Sequence, residues 1–123
     1  MQKRIQSFKY AFHGIYLFIK DEMHAKIHVC IALLVIVLGF IVKINFVEWI
    51  VLLLLIGFVI TAEVINSAIE NLADFVSPQK HQLIKKVKDL AAGAVLVSVI
   101  IALIIGIIIF APKILQLWHQ INF

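Results

Sequence analysis

Apolar residues fall into two patterns along this chain, and each predicts a different kind of helix. From residue 3 to 26 they are intermittent. Ile5, Phe8, Phe12, Ile15, Ile19 and Met23 recur at steps of three and four, so they form one stripe on a helix, with Lys9, His13, Lys20 and His24 away from it. Phe and Ile on one side and Lys on the other is the pattern of a helix lying on a membrane surface. Beyond residue 26 the apolar runs become nearly continuous: Ile27 to Val42, Phe46 into Ala62, and Leu90 to Pro112, which carries no charge. About 20 such residues are needed to cross a bilayer. The pattern predicts an all-α membrane protein with a surface helix at about 3–26 and spans at about 27–44, 46–74 and 89–112. Ser77-Pro78 ends the second span, because proline lacks a donor and disfavours helix in the residue before it. Ala91-Ala92-Gly93-Ala94 at the start of the third lets helix backbones approach closely. The 123 residues leave room for one domain.

Composition agrees. The chain is 63% hydrophobic and 15% charged, against about 45–50% and 25% in average globular proteins. Of its 11 Lys and Arg, all but Lys43 and Lys113 flank the N-terminal segment or the loop between the second and third spans. The positive-inside rule then predicts a cytoplasmic N-terminus and 75–89 loop, and an external 43–48 turn and C-terminus. The +4 net charge follows from this bias and attracts anionic lipid heads; it gives no reason to expect nucleic-acid binding. No cleavable signal peptide is expected, since the first apolar run starts late and can direct insertion itself. The single Cys30 excludes a disulfide framework. His24 and His28, four apart, could share a helical face as a zinc pair would, but no third ligand stands at suitable spacing. Trp49 and Trp118 fall where interfacial aromatic belts form.

Candidate chemistry enters with Glu63, Asn66, Glu70 and Asp74. Their spacing places them on one helical face, within an arc of about 80°. A carboxylate at the bilayer centre costs roughly 2.5–3.5 kcal/mol, so this stripe should face protein, water or a cation. Glu63 lies about 25 Å along the helix from Phe46 at roughly 1.5 Å per residue, which puts it near the cytoplasmic interface with Glu70 and Asp74 just outside. Of the seven acids, only Glu48 lies outside this half of the chain; Asp21, Glu22 and Asp89 complete the set. Clustered carboxylates repel unless a cation neutralises them, and carboxylates with phosphate oxygens are the usual surroundings of Mg²⁺. A lysine can pair with a phosphate, and a remaining carboxylate can take a proton from an attacking hydroxyl. No Gly-x-x-x-x-Gly-Lys loop or kinase glycine loop is present.

Glu63-Val-Ile-Asn66-Ser-Ala-Ile-Glu70-x-x-x-Asp74, then His81, then Lys88-Asp89-x-Ala-Ala-Gly-Ala-Val, resembles the bacterial integral-membrane diacylglycerol kinase and undecaprenol kinase family. The resemblance covers nearly the whole chain, including Tyr10, Gly14 and Glu22. It implies a homotrimer in the bacterial cytoplasmic (inner) membrane, with active sites between protomers at the cytoplasmic interface. It implies transfer of the γ-phosphoryl group of MgATP to the hydroxyl of undecaprenol or diacylglycerol. By position, Glu22 and Glu70 resemble the Mg²⁺ carboxylates and Glu63 the base that takes the lipid hydroxyl proton. Tyr10, His81, Lys88 and Asp89 resemble nucleotide contacts, Asn66 and Asp74 supporting residues, and Lys3, His24 and His28 lipid contacts. Gln79-Lys80 departs from the acidic or aromatic residue often found before the loop histidine, and His24 from a frequent Asn. The segments around Glu48-Trp49 and Ile108–Lys113 lean toward the undecaprenol kinase branch.

The rival from another class is a small ion- or proton-coupled transporter subunit using Glu63 and Glu70 as intramembrane carriers. Transport favours midplane acids and paired half-helices in inverted repeats, and the sequence has neither. A non-catalytic anchor would not need so many acids in one layer.

Overall fold

The computed structural model describes residues 1–123 and is helical throughout: α1 Gln2–Asp21, α2 Met23–Val42, α3 Phe46–Val76 and α4 Gln82–Asn122. Three of these, α2, α3 and α4, are long and apolar enough to cross a membrane.

The first boundary is not where the stripe of residues 3–26 predicts it. The helix breaks at Glu22, whose backbone is extended (φ −104°, ψ 120°), so that 23–26 belong to α2. The span is thereby lengthened to 20 residues, about 30 Å and enough for a bilayer, which the run from Ile27 alone would not give. Ala25 in this added turn is fully buried, a small residue where α2 meets its neighbours. The stripe on α1 stays exposed at Ile5, Phe8, Phe12, Ile15 and Ile19; Phe18 is the one buried residue of the helix.

Helix α3 starts with a capping box. Asn45 accepts from the Glu48 N–H at 2.9 Å, and the Glu48 carboxylate accepts from the Asn45 N–H at 3.0 Å. It runs past 74 to Val76 and ends before Ser77-Pro78. The last helix extends beyond the uncharged run at both ends: it begins at Gln82, capped by His81 Nδ1 accepting from the Leu83 N–H at 3.1 Å, and it passes through Pro112. A proline this far along removes the single bond its N–H would give to Ile108, and the remaining bonds carry the helix on to Asn122.

The principal packing is the α3–α4 hairpin, with α2 laid against both. Its core sits at the end nearest the 43–48 turn: Ile44, Leu52, Ile109 and Phe110 are buried, flanked by Val35, Leu38 and Trp49. A Glu48–Lys113 ion pair at 3.0 Å ties α3 to α4 at this end. Lys43 (φ 55°) makes the left-handed turn out of α2. Only 11 of 123 residues are buried, so most of the apolar surface faces outward, as in a protein covered by lipid or by neighbouring subunits.

Gly39 lies under the Trp49 indole: a Cβ there would stand 2.8 Å from Cη2. That ring is also held against Phe40, with centroids 4.7 Å apart, so it has little freedom to retreat. G39A is expected to cost about 1–3 kcal/mol, the usual penalty for overpacking, read as a lowered Tm in detergent beside an unchanged G57A control, whose site has open space.

Candidate functional site

The stripe on α3 does not face one partner along its whole length. Glu63 is buried at 7% exposure and meets α2, where His28 Nε2 stands 2.8 Å from Glu63 Oε1 in an ion-pair contact. Three residues on, the Asn66 amide donates to Glu70 Oε1 at 3.5 Å. At the far end Asp74 is exposed and pairs with Lys88 of α4. The change of partner follows from helix lengths. Met23, where α2 starts, is about 8 Å from His28, whereas Asp74 is about 16 Å beyond Glu63, so α2 does not reach that far and Asp74 meets α4 instead.

Two groupings result. Around the α3–α4 turn, a polar cleft of about 480 Å³ is lined by Asp74, His81, Lys85, Lys88 and Asp89 among others. Its charges are paired crosswise, Lys88 to Asp74 and Lys85 to Asp89, the latter at 2.7 Å. Asp74, Lys85 and Asp89 are exposed and Lys88 is half-buried, and pairs this open to water hold loosely because water competes for each partner. The second grouping, His28–Glu63 and Asn66–Glu70, lies deeper. An apolar groove of about 450 Å³ runs up to it, lined by His28, Ile31, Val59, Ile60, Leu103 and Phe110 among others.

The structure thus collects four of the expected site residues in the cleft (Asp74, His81, Lys88 and Asp89) and four at the deeper grouping (His28, Glu63, Asn66 and Glu70). No hydrogen bond or ion pair within the chain involves the side chains of Lys3, Tyr10, Glu22 or His24. Lys3, Tyr10 and His24 are exposed, while Glu22 is half-buried at the α1–α2 break. His24 and His28 do not act as a pair: His28 turns to Glu63, and no three His, Cys, Asp or Glu side chains gather within the chain as a metal cluster. The donor set does fit a small hard cation. It offers the Glu70 carboxylate and, beside it, Asn66 Oδ1, which is buried without a hydrogen-bond partner. An orphaned buried oxygen of this kind is uncommon in a native protein and calls for a donor or a cation.

Sequence reasoning missed the His28–Glu63 contact and the place of Lys85 in the cleft. A histidine more than one turn inside an apolar helix was the available signal for the first, since a ring nitrogen in lipid needs a partner.

A polytopic helical membrane protein with a polar layer at one end, joined to an apolar groove, is the class these features define. Comparison with known sequences is specific: the profile described as prokaryotic diacylglycerol kinase matches residues 9–110. Undecaprenol kinase of Bacillus subtilis is 38% identical over 113 residues, 92% of each chain. Diacylglycerol kinase of Synechocystis is 33% identical over 112 residues, 90% of this chain and 64% of the relative. Diacylglycerol kinase of Helicobacter pylori is 40% identical over 72 residues, 58% of this chain and 56% of the relative. The chain belongs to the prokaryotic diacylglycerol kinase family. It is a membrane lipid kinase, a phosphotransferase with ATP as co-substrate.

Proposed function

We propose that the protein phosphorylates the hydroxyl of a long-chain membrane lipid with MgATP, and that the lipid is undecaprenol in preference to diacylglycerol. The observation that carries the reading is the apolar groove ending at His28, whose ring holds the buried Glu63 carboxylate. A hydrocarbon chain in that groove brings its terminal hydroxyl to the one buried acid of the layer. The choice of lipid rests on the Bacillus subtilis undecaprenol kinase, which matches over 92% of both chains.

In this reading Glu63 takes the hydroxyl proton as the lipid oxygen bonds to the γ-phosphorus. The bond between that phosphorus and the β–γ bridging oxygen breaks, and ADP leaves with the electron pair. Lys88 and Lys85 are free to meet phosphate oxygens because their exposed partners release them readily. His81, Asp89 and, from the surface helix, Tyr10 contact the nucleotide, while Asn66 and Asp74 hold Glu70 and Lys88 in place. Glu22 and Glu70 hold Mg²⁺, which when bound neutralises phosphate charge in the transition state. Lys3 and His24 border the lipid.

Helix α1 lies on the cytoplasmic face, with its exposed apolar stripe in the lipid boundary. The N-terminus and the α3–α4 turn are cytoplasmic and the C-terminus external, in a bacterial inner membrane. Three copies assemble with the sites between them, so that residues of α1 without a contact in their own chain reach a neighbour's cleft.

The test is to supply MgATP and each lipid alcohol in separate vesicles. Undecaprenol is expected to be phosphorylated faster. A reversed preference would overturn the choice of lipid, and phosphorylation of neither would overturn the kinase.

A further inference from the structure

Glu63 is the most buried charged side chain of the layer, and His28 is the partner the structure gives it. A carboxylate out of water needs compensating partners, and His28 Nε2, 2.8 Å from Oε1, is the one this chain supplies. The other oxygen, Oε2, has no hydrogen bond, yet it is not among the sealed, unpartnered atoms of the chain, where Asn66 Oδ1 stands alone. Oε2 therefore keeps accessible surface. One oxygen is held and the other is open.

The terminal torsion of a glutamate is broad and roughly two-fold, so nothing intrinsic to the side chain fixes which way its carboxylate plane turns. A close contact to one oxygen from a ring on a different helix does favour one orientation. His28 is itself constrained, half-buried on α2 at the end of the apolar groove. The contact thus links the wall of the groove to the acid that the groove approaches.

Resting on the reading of Glu63 as the acceptor of the lipid hydroxyl proton, we infer that His28 is a positioning residue. It holds Oε1 so that Oε2 is presented to the hydroxyl of a lipid in the groove. The role belongs to Nε2: a shorter side chain that places an amide only where Nδ1 stands does not reach, whereas glutamine, one methylene longer than asparagine, carries its amide to the position of Nε2. The inference concerns turnover, because the nucleotide cleft of Asp74, His81 and Lys88 has no contact with His28.

The experiment compares H28A, H28N and H28Q in detergent with a lipid alcohol, alongside E63Q and the double variant E63Q/H28A. H28A and H28N are expected to lose about 10²-fold in kcat, the scale of a reacting group displaced by about 1 Å, with KM for MgATP unchanged. H28Q recovers to within a few-fold of the parent, and H28A adds no further loss in the E63Q background. Binding of a non-hydrolysable ATP analogue reports folding; if H28A fails it, the comparison of H28Q with H28N decides alone. H28Q no better than H28N, or H28A as active as the parent while E63Q is inactive, overturns the inference and leaves Glu63 as the base. E63Q with full activity overturns the reading of Glu63 itself.

Discussion

Replacing Glu63 with glutamine is expected to abolish lipid phosphorylation while leaving the fold and the affinity for MgATP nearly unchanged. Glutamine has the same shape and can still place its carbonyl oxygen against His28, so the α2–α3 contact survives. What disappears is the capacity to take a proton. General-base catalysis contributes about 10²–10⁴-fold, and the loss in kcat should fall in that range or below detection. The nucleotide cleft is built from Asp74, His81, Lys88 and Asp89 and does not include Glu63, so nucleotide titrations of parent and variant should superimpose. Retained turnover in E63Q places the base elsewhere.

The second large effect is at Glu70. E70Q removes one of the two carboxylates assigned to the cation but still accepts from the Asn66 amide, so the helix face keeps its internal bond. Apparent affinity for ATP should fall on the order of tenfold to a hundredfold at low Mg²⁺, since even partners that merely orient ligands are worth that much. Raising Mg²⁺ should recover part of the loss by mass action. A magnesium dependence identical to the parent's would remove Glu70 from the metal site.

The two substitutions divide the layer between chemistry and nucleotide binding, a division only half visible in the residue pattern. Spacing put Glu63, Asn66, Glu70 and Asp74 on one face of α3, and hydrocarbon runs located the three long helices, because both signals are local. Which neighbour each acid meets is set by where the other helices begin, and that depends on the break at Glu22. The acidic pair Asp21-Glu22 reads as the point where the surface helix turns into the membrane, and the break falls there, whereas the apolar stripe, carried on by Met23, put the boundary near 26.

The α4 ends show the same limit. The uncharged run marks only the apolar part of α4, and the helix begins earlier, at Gln82, because His81 caps it and the polar turn needs no bilayer to be helical. Pro112 does not end it. The ion pairs of the cleft were legible as opposite charges in one layer, but their crosswise pattern, Lys88 back to α3 and Lys85 along its own helix, required the hairpin geometry. Family motifs supplied roles that neither spacing nor packing assigns, above all for Tyr10 and Glu22.

The claim beneath all of this is that a phosphoryl group passes from ATP to a lipid hydroxyl at the polar layer. Following the labelled γ-phosphoryl group with purified protein, Mg²⁺ and undecaprenol in bilayers tests it most directly. One lipid phosphate should form for each ATP consumed; ATP consumed with release of free phosphate, or no ATP consumed in the presence of lipid, would contradict that transfer.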